Sequence, residues 1–249
     1  MLALVTGASS GIGYEIAIEL SRLGYDIIAV GRNTKNLNKL KNECDTDVVL
    51  EEIDLGVYEN LSKLYEKYKK ENIDILVNSA GIGDIGNFYE TDLKKDIEVI
   101  NLNIVATHVL TKLFLKEMVE KDKGYILNIS SSAAFAPGPL MATYYSTKAY
   151  VLKLSEAISK ELRKKKSNVV VSTLCPGPVD TDFNNRLNIH FSVKPVSAKY
   201  VANYTVKKLF KNKKIIVPGF KNKMGVLASK ILPNFILEEY IYNMQKKKL

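Results

Sequence analysis

The sequence predicts a doubly wound α/β domain: a parallel sheet of about seven strands with helices on both faces. Three observations carry that reading. Short apolar runs alternate with amphipathic stretches from residue 2 to about 217, with no linker, repeat or low-complexity segment between them. The first apolar run passes through a glycine-rich turn directly into a periodic helix. The 249 residues, 46% of them hydrophobic, suffice for one large core.

Leu2–Val5 reads as a buried strand, followed by Thr6-Gly7-Ala8-Ser9-Ser10-Gly11-Ile12-Gly13. Ile12, Ile16, Leu20 and Leu23 then share one helical stripe up to Gly24. Glycines between a strand and a helix let the backbone approach a pyrophosphate, which the helix N-terminus attracts. The spacing is Gly-x3-Gly-x-Gly, and Gly7, Ser9, Ser10, Gly11, Ile12 and Gly13 are candidates to hold a dinucleotide. Asp26–Gly31 is the second strand. An acidic residue at its end would hold an adenosine ribose 2′-hydroxyl; Arg32 and Asn33 stand there instead. A guanidinium suits a 2′-phosphate, so NADP(H) is expected over NAD(H).

A helix at 34–44 and a third strand, Asp47–Ile53, follow. Asp54 at that strand's end could meet the adenine or cap a helix near 57–72. The fourth strand, Ile73–Asn78, leads into Ser79-Ala80-Gly81, small residues that let the backbone run close to a nucleotide. A helix at about 91–99 and a long one at about 100–121 carry Asn101, Asn103, Thr107 and Thr111. Gly124–Ile129 is a fifth strand ending at Ser130-Ser131, where open α/β sheets place their ligands.

Tyr144 and Lys148 are four apart, one turn from each other on a helix that ends near Lys166. A cation beside a phenol is expected to lower its pKa and fit it for proton transfer near neutral pH. Val169–Leu174 is a sixth strand, punctuated by Cys175-Pro176-Gly177-Pro178-Val179-Asp180-Thr181. A helix at about 197–210 and a short strand at 214–217 complete the sheet.

These residues resemble the short-chain dehydrogenase/reductase family, whose nucleotide-binding domain is of the Rossmann type. Thr6–Gly13 matches its TGxxxGIG loop. Asn78–Gly81 is similar to its NNAG, with Ser79 in place of the second Asn. Tyr144–Lys148 matches YxxxK, with Ser131 thirteen residues before the Tyr, and Pro176, Gly177, Val179 and Thr181 match PGxVxT. The motifs stand in family order over about residues 1–220. The resemblance implies hydride transfer between a nicotinamide and a carbonyl or alcohol carbon, with Tyr144 as general acid and base. It implies that Ser131 hydrogen-bonds the reacting oxygen and that Lys148 tunes Tyr144 and holds the nicotinamide ribose. Asn103, a better match than Asn101, would support a water beside Lys148. Arg32, Asp54, Asn78, Ala80, Gly81, Pro176, Gly177, Val179 and Thr181 would join the glycine loop around the cofactor. Tyr145 is read as packing or substrate wall. A homodimer or homotetramer through the helices near 100–121 and 144–166 is implied likewise. The alternative is a catalytically silent, nucleotide-binding regulator of the same fold, but such a protein would usually have lost one of Ser131, Tyr144 or Lys148.

Cys44 and Cys175 form no CxxC pair and no metal spacing, and neither His108 nor His190 has a metal-site companion. A reduced, cytoplasmic protein is expected, with no metal. Met1–Val5 is apolar but lacks a basic flank and runs into glycines, so no signal peptide is expected, and no uninterrupted apolar run reaches spanning length. The net charge of +9 lies in residues 207–249, with eleven Lys and two Glu; the remaining residues balance. No patterned basic face suited to nucleic acid is evident.

The whole chain, 1–249, reads as one domain with two additions. The first is a substrate lid at about 182–196, in which Phe183, Leu187 and Phe191 recur at helical spacing, either as an apolar lid face or as packing. The second is a basic and apolar extension at about 218–249. It could cover the cleft or a second subunit, lie on an anionic membrane, or be an ordinary tail. The first of these is preferred, and an apolar lid and tail favour a hydrophobic substrate.

Overall fold

In the computed structural model, which describes residues 1–183 and 195–248, the sheet is built from seven parallel strands. They are β1 (Leu2–Thr6), β2 (Asp26–Gly31), β3 (Val48–Glu52), β4 (Ile73–Asn78), β5 (Tyr125–Ile129), β6 (Val170–Leu174) and β9 (Ile215–Ile216). Their order is β3-β2-β1-β4-β5-β6-β9, while β7 (Val179–Asp180) and β8 (Val196–Ser197) form a separate parallel pair. The central strands are mostly apolar because both faces are covered. Ala3 and Val5 face a layer holding Ile16, Leu20, Val201 and Leu209, whereas Leu4 faces Leu64, Leu110, Phe114 and Met118. These layers come from α1 (Gly11–Ser21) and α7 (Ala198–Leu209) on one side, and α3 (Tyr58–Tyr68) and α5 (Thr107–Glu120) on the other. Strand order reverses between β1 and β4, so the crevice for a ligand opens at their carboxyl ends, Thr6 and Asn78.

The two helices expected over 91–121 are one. α4 (Leu93–Ile100) continues through a π-helical segment, Asn101–Ala106, into α5. No breaker interrupts it, and the wider turn is a form common at functional sites. By length and composition this 28-residue helix, Leu93–Glu120, could cross a membrane. Its Leu102, Ala106, Leu110, Phe114 and Met118 are instead buried against the sheet, as in the core helix of a globular domain.

α2 (Thr34–Glu43) follows β2, and α6 (Ala142–Lys164) carries Tyr144 and Lys148. The C-terminal extension forms α8 (Phe220–Ile231) and α9 (Asn234–Lys246). The break is at Leu232, extended because Pro233 follows it. On α9, Leu237, Ile241 and Gln245 recur every four residues and are buried, and Leu237 and Ile241 cluster with Ala133, Met141 and Tyr145. This inner face packs on the segment that runs from Ala133 to Tyr145. Of the lid expected at 182–196, Leu187, His190 and Phe191 lie outside the described residues.

Candidate active site

Ser131 follows β5 and caps a single turn of 3-10 helix, Ser132–Phe135, its hydroxyl accepting from the Ala133 amide at 3.1 Å. Helical periodicity sets Tyr144 and Lys148 one above the other on the first turns of α6. Lys148 is 6% exposed; its Nζ donates to the Ile129 carbonyl at 3.1 Å and lies 5.7 Å from the Tyr144 ring centre. Ser130, the neighbour of Ser131, anchors the same turn by donating to the Lys148 carbonyl at 2.7 Å. The Ser131 hydroxyl stands near enough to the Tyr144 phenol to favour its ionised form. Hydroxyl, phenol and amine, separated along the chain, thus meet at the carboxyl end of β5.

The titration of this group departs from the sequence expectation. Burial pushes Tyr144 up to about 12, opposed in part by the neighbouring Ser131 hydroxyl. Burial also lowers Lys148 to about 8. An amine that loses its proton near 8 is already neutral when the phenol ionises, so it offers no positive charge to favour the phenolate. The expected depression of Tyr144 by Lys148 is therefore not found.

Asn103 sits in the π-helical segment and is 1% exposed. Its amide accepts from Ile82 N at 3.0 Å and donates to Ile82 O at 2.9 Å and Thr147 Oγ1 at 3.0 Å. It thereby ties the segment after β4 to α6. A Cβ at Gly81 would stand 3.1 Å from Asn103 Oδ1 and 3.3 Å from Lys148 Nζ, so all three converge. Asn101, by contrast, is only half-buried.

The glycine loop folds against the end of β4. Thr6 Oγ1 accepts from the Ser79 and Ala80 amides at 3.0 and 3.2 Å. Gly7 has a φ of +67°, and a Cβ there would meet Ala80 N at 2.7 Å; one at Gly13 would meet Gly7 O at 2.6 Å. Only glycine permits this close packing of turn on strand end. Gly11 lies against the Thr181 side chain, and Ser9 beside Gly31 at the end of β2. Ser10 is the N-cap of α1 but makes no side-chain cap, and no acidic residue stands in the first turn. Ile12 in that turn is half-buried against the core. The first-turn amides therefore remain available to an anion, which is the fit a dinucleotide pyrophosphate requires.

Arg32 is 56% exposed in its side chain and pairs with Asp54 at 3.5 Å. Asp54 also accepts from the Gly56 amide at 2.9 Å, while Val57 occupies the N-cap of α3, so the capping alternative for Asp54 is not adopted. The Asn78 amide points into the domain, donating to Thr111 Oγ1 at 3.0 Å and Asn128 Oδ1 at 2.8 Å. Asn78 thus offers no side-chain amide to the crevice, while the Ser79 hydroxyl lies against Gly13 of the glycine loop. Pro176 O accepts from Ser132 N at 2.8 Å, Gly177 lies against Asn222 of α8, and Val179 is buried in β7.

Apolar groups wall the site. Phe183 lies 5.5 Å from the Tyr144 ring, and Tyr145, Met141 and Ile85 pack with α9. Tyr145 accepts a 2.7 Å hydrogen bond from Gln245, which is 1% exposed. Sequence reasoning missed Gln245, the Thr6 clamp, Thr147 and the Asn78–Thr111–Asn128 network. Threonine at a strand end and paired asparagines in adjoining apolar strands were the available signals for the Thr6 clamp and the Asn78–Asn128 pair; Thr147 and Gln245 had none.

The family model described as short chain dehydrogenase matches residues 1–190. The chain belongs to the short-chain dehydrogenase family. Among relatives, it is 35% identical over 187 residues to a 3-oxoacyl-acyl-carrier-protein reductase of Rickettsia prowazekii, covering 75% of this chain and 76% of that protein. It is 30% identical over 245 residues to hydroxysteroid dehydrogenase-like protein 1 of Gallus gallus, covering 94% of this chain and 72% of that protein. A short-chain dehydrogenase from Sphingobium yanoikuyae, solved in complex with NADPH, superposes with a TM-score of 0.83 at 26% identity, covering 92% of each chain. This short-chain dehydrogenase shares the seven-stranded Rossmann architecture of those structures.

Proposed function

We propose that this short-chain dehydrogenase interconverts a carbonyl and an alcohol with NADP(H), using Tyr144 as general acid and base. The observation that carries the reading is the meeting of half-buried Ser131 and Tyr144 with buried Lys148 at the carboxyl end of β5. The uncapped N-terminus of α1 and the NADPH-bound relative support a nicotinamide cofactor. Exposed Arg32 at the end of β2 supports the 2′-phosphorylated form.

NADPH held at the glycine loop would supply the hydride. Tyr144 gives its phenolic proton to the carbonyl oxygen, and a phenol that ionises near 12 is in the donating form throughout the neutral range. Ser131 donates a hydrogen bond to the same oxygen and stabilises its developing charge. Lys148, which titrates near 8, can hold or release a proton at neutral pH and so restore the phenol after each turnover. Asn103 holds the Gly81–Ile82 segment against α6 beside Lys148. Gly7–Gly13, Asp54, Ala80, Gly81 and Thr181 border the crevice the cofactor would fill.

Phe183, Tyr145, Met141 and Ile85 favour a hydrophobic substrate, and the names of the relatives suggest acyl and steroid-like carbonyl compounds. We place the enzyme in the cytoplasm as a homo-oligomer. Following NADPH absorbance against aldehydes, ketones and acyl thioesters tests the reading. Turnover of at least one class, lost in Tyr144→Phe, is expected; NADPH binding without turnover across the panel would favour a silent regulator.

A further inference from the structure

We propose that the outer face of α8 and α9 docks on an anionic lipid surface. On α8, Phe220, Met224, Leu227 and Ile231 stand at i, i+4, i+7 and i+11, which is one stripe of a helix. They are 77, 48, 50 and 72% exposed. Past Pro233, Phe235 and Tyr240 are 71 and 66% exposed on a helix whose Leu237 and Ile241 are buried, and Glu238 and Glu239 are the exposed acidic residues of that helix. The inner face of α9 is thus occupied by the domain and its outer apolar side chains are not.

Charge identifies the occupant. The whole net charge of the protein lies in residues 207–249; Lys221, Lys223 and Lys230 are exposed on α8 beside its apolar stripe, and Lys246 and Lys247 are exposed at the end of α9. Apolar side chains framed by lysines suit the boundary between acyl chains and anionic headgroups. A second copy fits poorly, because symmetric pairing would set two cationic segments against each other. Helices of 12 and 13 residues are too short to span a bilayer, so they would lie along it. The docked α9 also walls the site through Tyr145, which places an apolar phase next to an enzyme read as using a hydrophobic substrate. The docking itself does not depend on that reading.

The test is co-sedimentation of the full chain with phosphatidylcholine vesicles, with and without about one-third phosphatidylglycerol. Binding should require the anionic lipid and fall at least tenfold at about 0.5 M salt, where charges more than a few ångströms apart are screened. The double variant Ile231→Glu/Phe235→Glu should lose at least tenfold in partitioning while keeping the wild-type thermal transition and turnover of a water-soluble carbonyl. If that variant misfolds, Lys221→Gln/Lys223→Gln/Lys230→Gln must show the same loss. Absence of binding, equal binding to both vesicles, or variants that bind as wild type would overturn the proposal. So would an oligomer that the apolar variant dissolves while vesicle binding is absent.

Discussion

Replacing Lys148 with methionine should stabilise the cofactor-free protein at pH 7 while abolishing turnover. Burial lowers Lys148 from 10.5 to about 8. At about 1.4 kcal/mol per pKa unit, holding this ammonium in the fold costs about 3 kcal/mol. Below pH 8 the amine is protonated both folded and unfolded, so the full cost applies. Between about 8 and 10.5 only the unfolded chain keeps the proton, and stability rises with pH; above 10.5 the cost has vanished. Methionine keeps an apolar stem and removes the charge. It also removes the donor to the Ile129 carbonyl, a loss of about 1 kcal/mol at either pH. The variant should then be more stable by about 2 kcal/mol at pH 7, or some 4–8 °C in Tm, and close to wild type at pH 9.5. Urea unfolding of both proteins at the two pH values measures the difference. A stability gap that does not change with pH, or that widens at pH 9.5, would refute the buried-ammonium reasoning whatever its absolute size.

Four further outcomes follow from the same geometry. Tyr144→Phe should bind NADPH normally but lose about a thousandfold in kcat, read by absorbance and by a fluorescence titration. Because the phenol ionises near 12, alcohol oxidation, which needs the phenolate, should climb with pH from 7 to 10 while carbonyl reduction does not; a flat oxidative profile would contradict this. Arg32→Ala should cut the preference for NADPH over NADH at least tenfold with little change for NADH, and Asp54→Asn, which frees Arg32, should tighten NADPH binding. Equal Kd ratios across these proteins would remove Arg32 from cofactor choice. Gly13→Ala sets a methyl 2.6 Å from Gly7 O and should lower stability by about 2 kcal/mol in urea, with loss of cofactor binding.

Much of the fold and part of the site were readable in the chain, and the boundary follows the range of the forces involved. Apolar runs at strand length locate β1 to β6, because a strand buried on both faces admits little else. The loop Thr6–Gly13 shows in sequence because its glycines answer a backbone contact that no side chain allows. The junction at Ile100-Asn101 did not show, since a π-helical segment has no composition that sets it apart from α-helix. Nor did the direction of Asn78, whose amide turns inward to Asn128, fifty residues away.

The sequence by itself determined which residues are proposed to carry the chemistry and in what order they come. Tyr144 and Lys148 face one way because four residues are one helical turn, and Ser131 closes a strand that apolar periodicity alone identifies. Tertiary structure alone decided how those groups titrate and what surrounds them. The phenol near 12 and the amine near 8 are products of burial by several distant elements. The Gln245–Tyr145 hydrogen bond spans a hundred residues, and the division of α9 into a covered and an uncovered side depends on where that helix lands. Local spacing sets direction along a helix, but solvation depends on everything packed around a group, and that is known only once the chain has closed on itself.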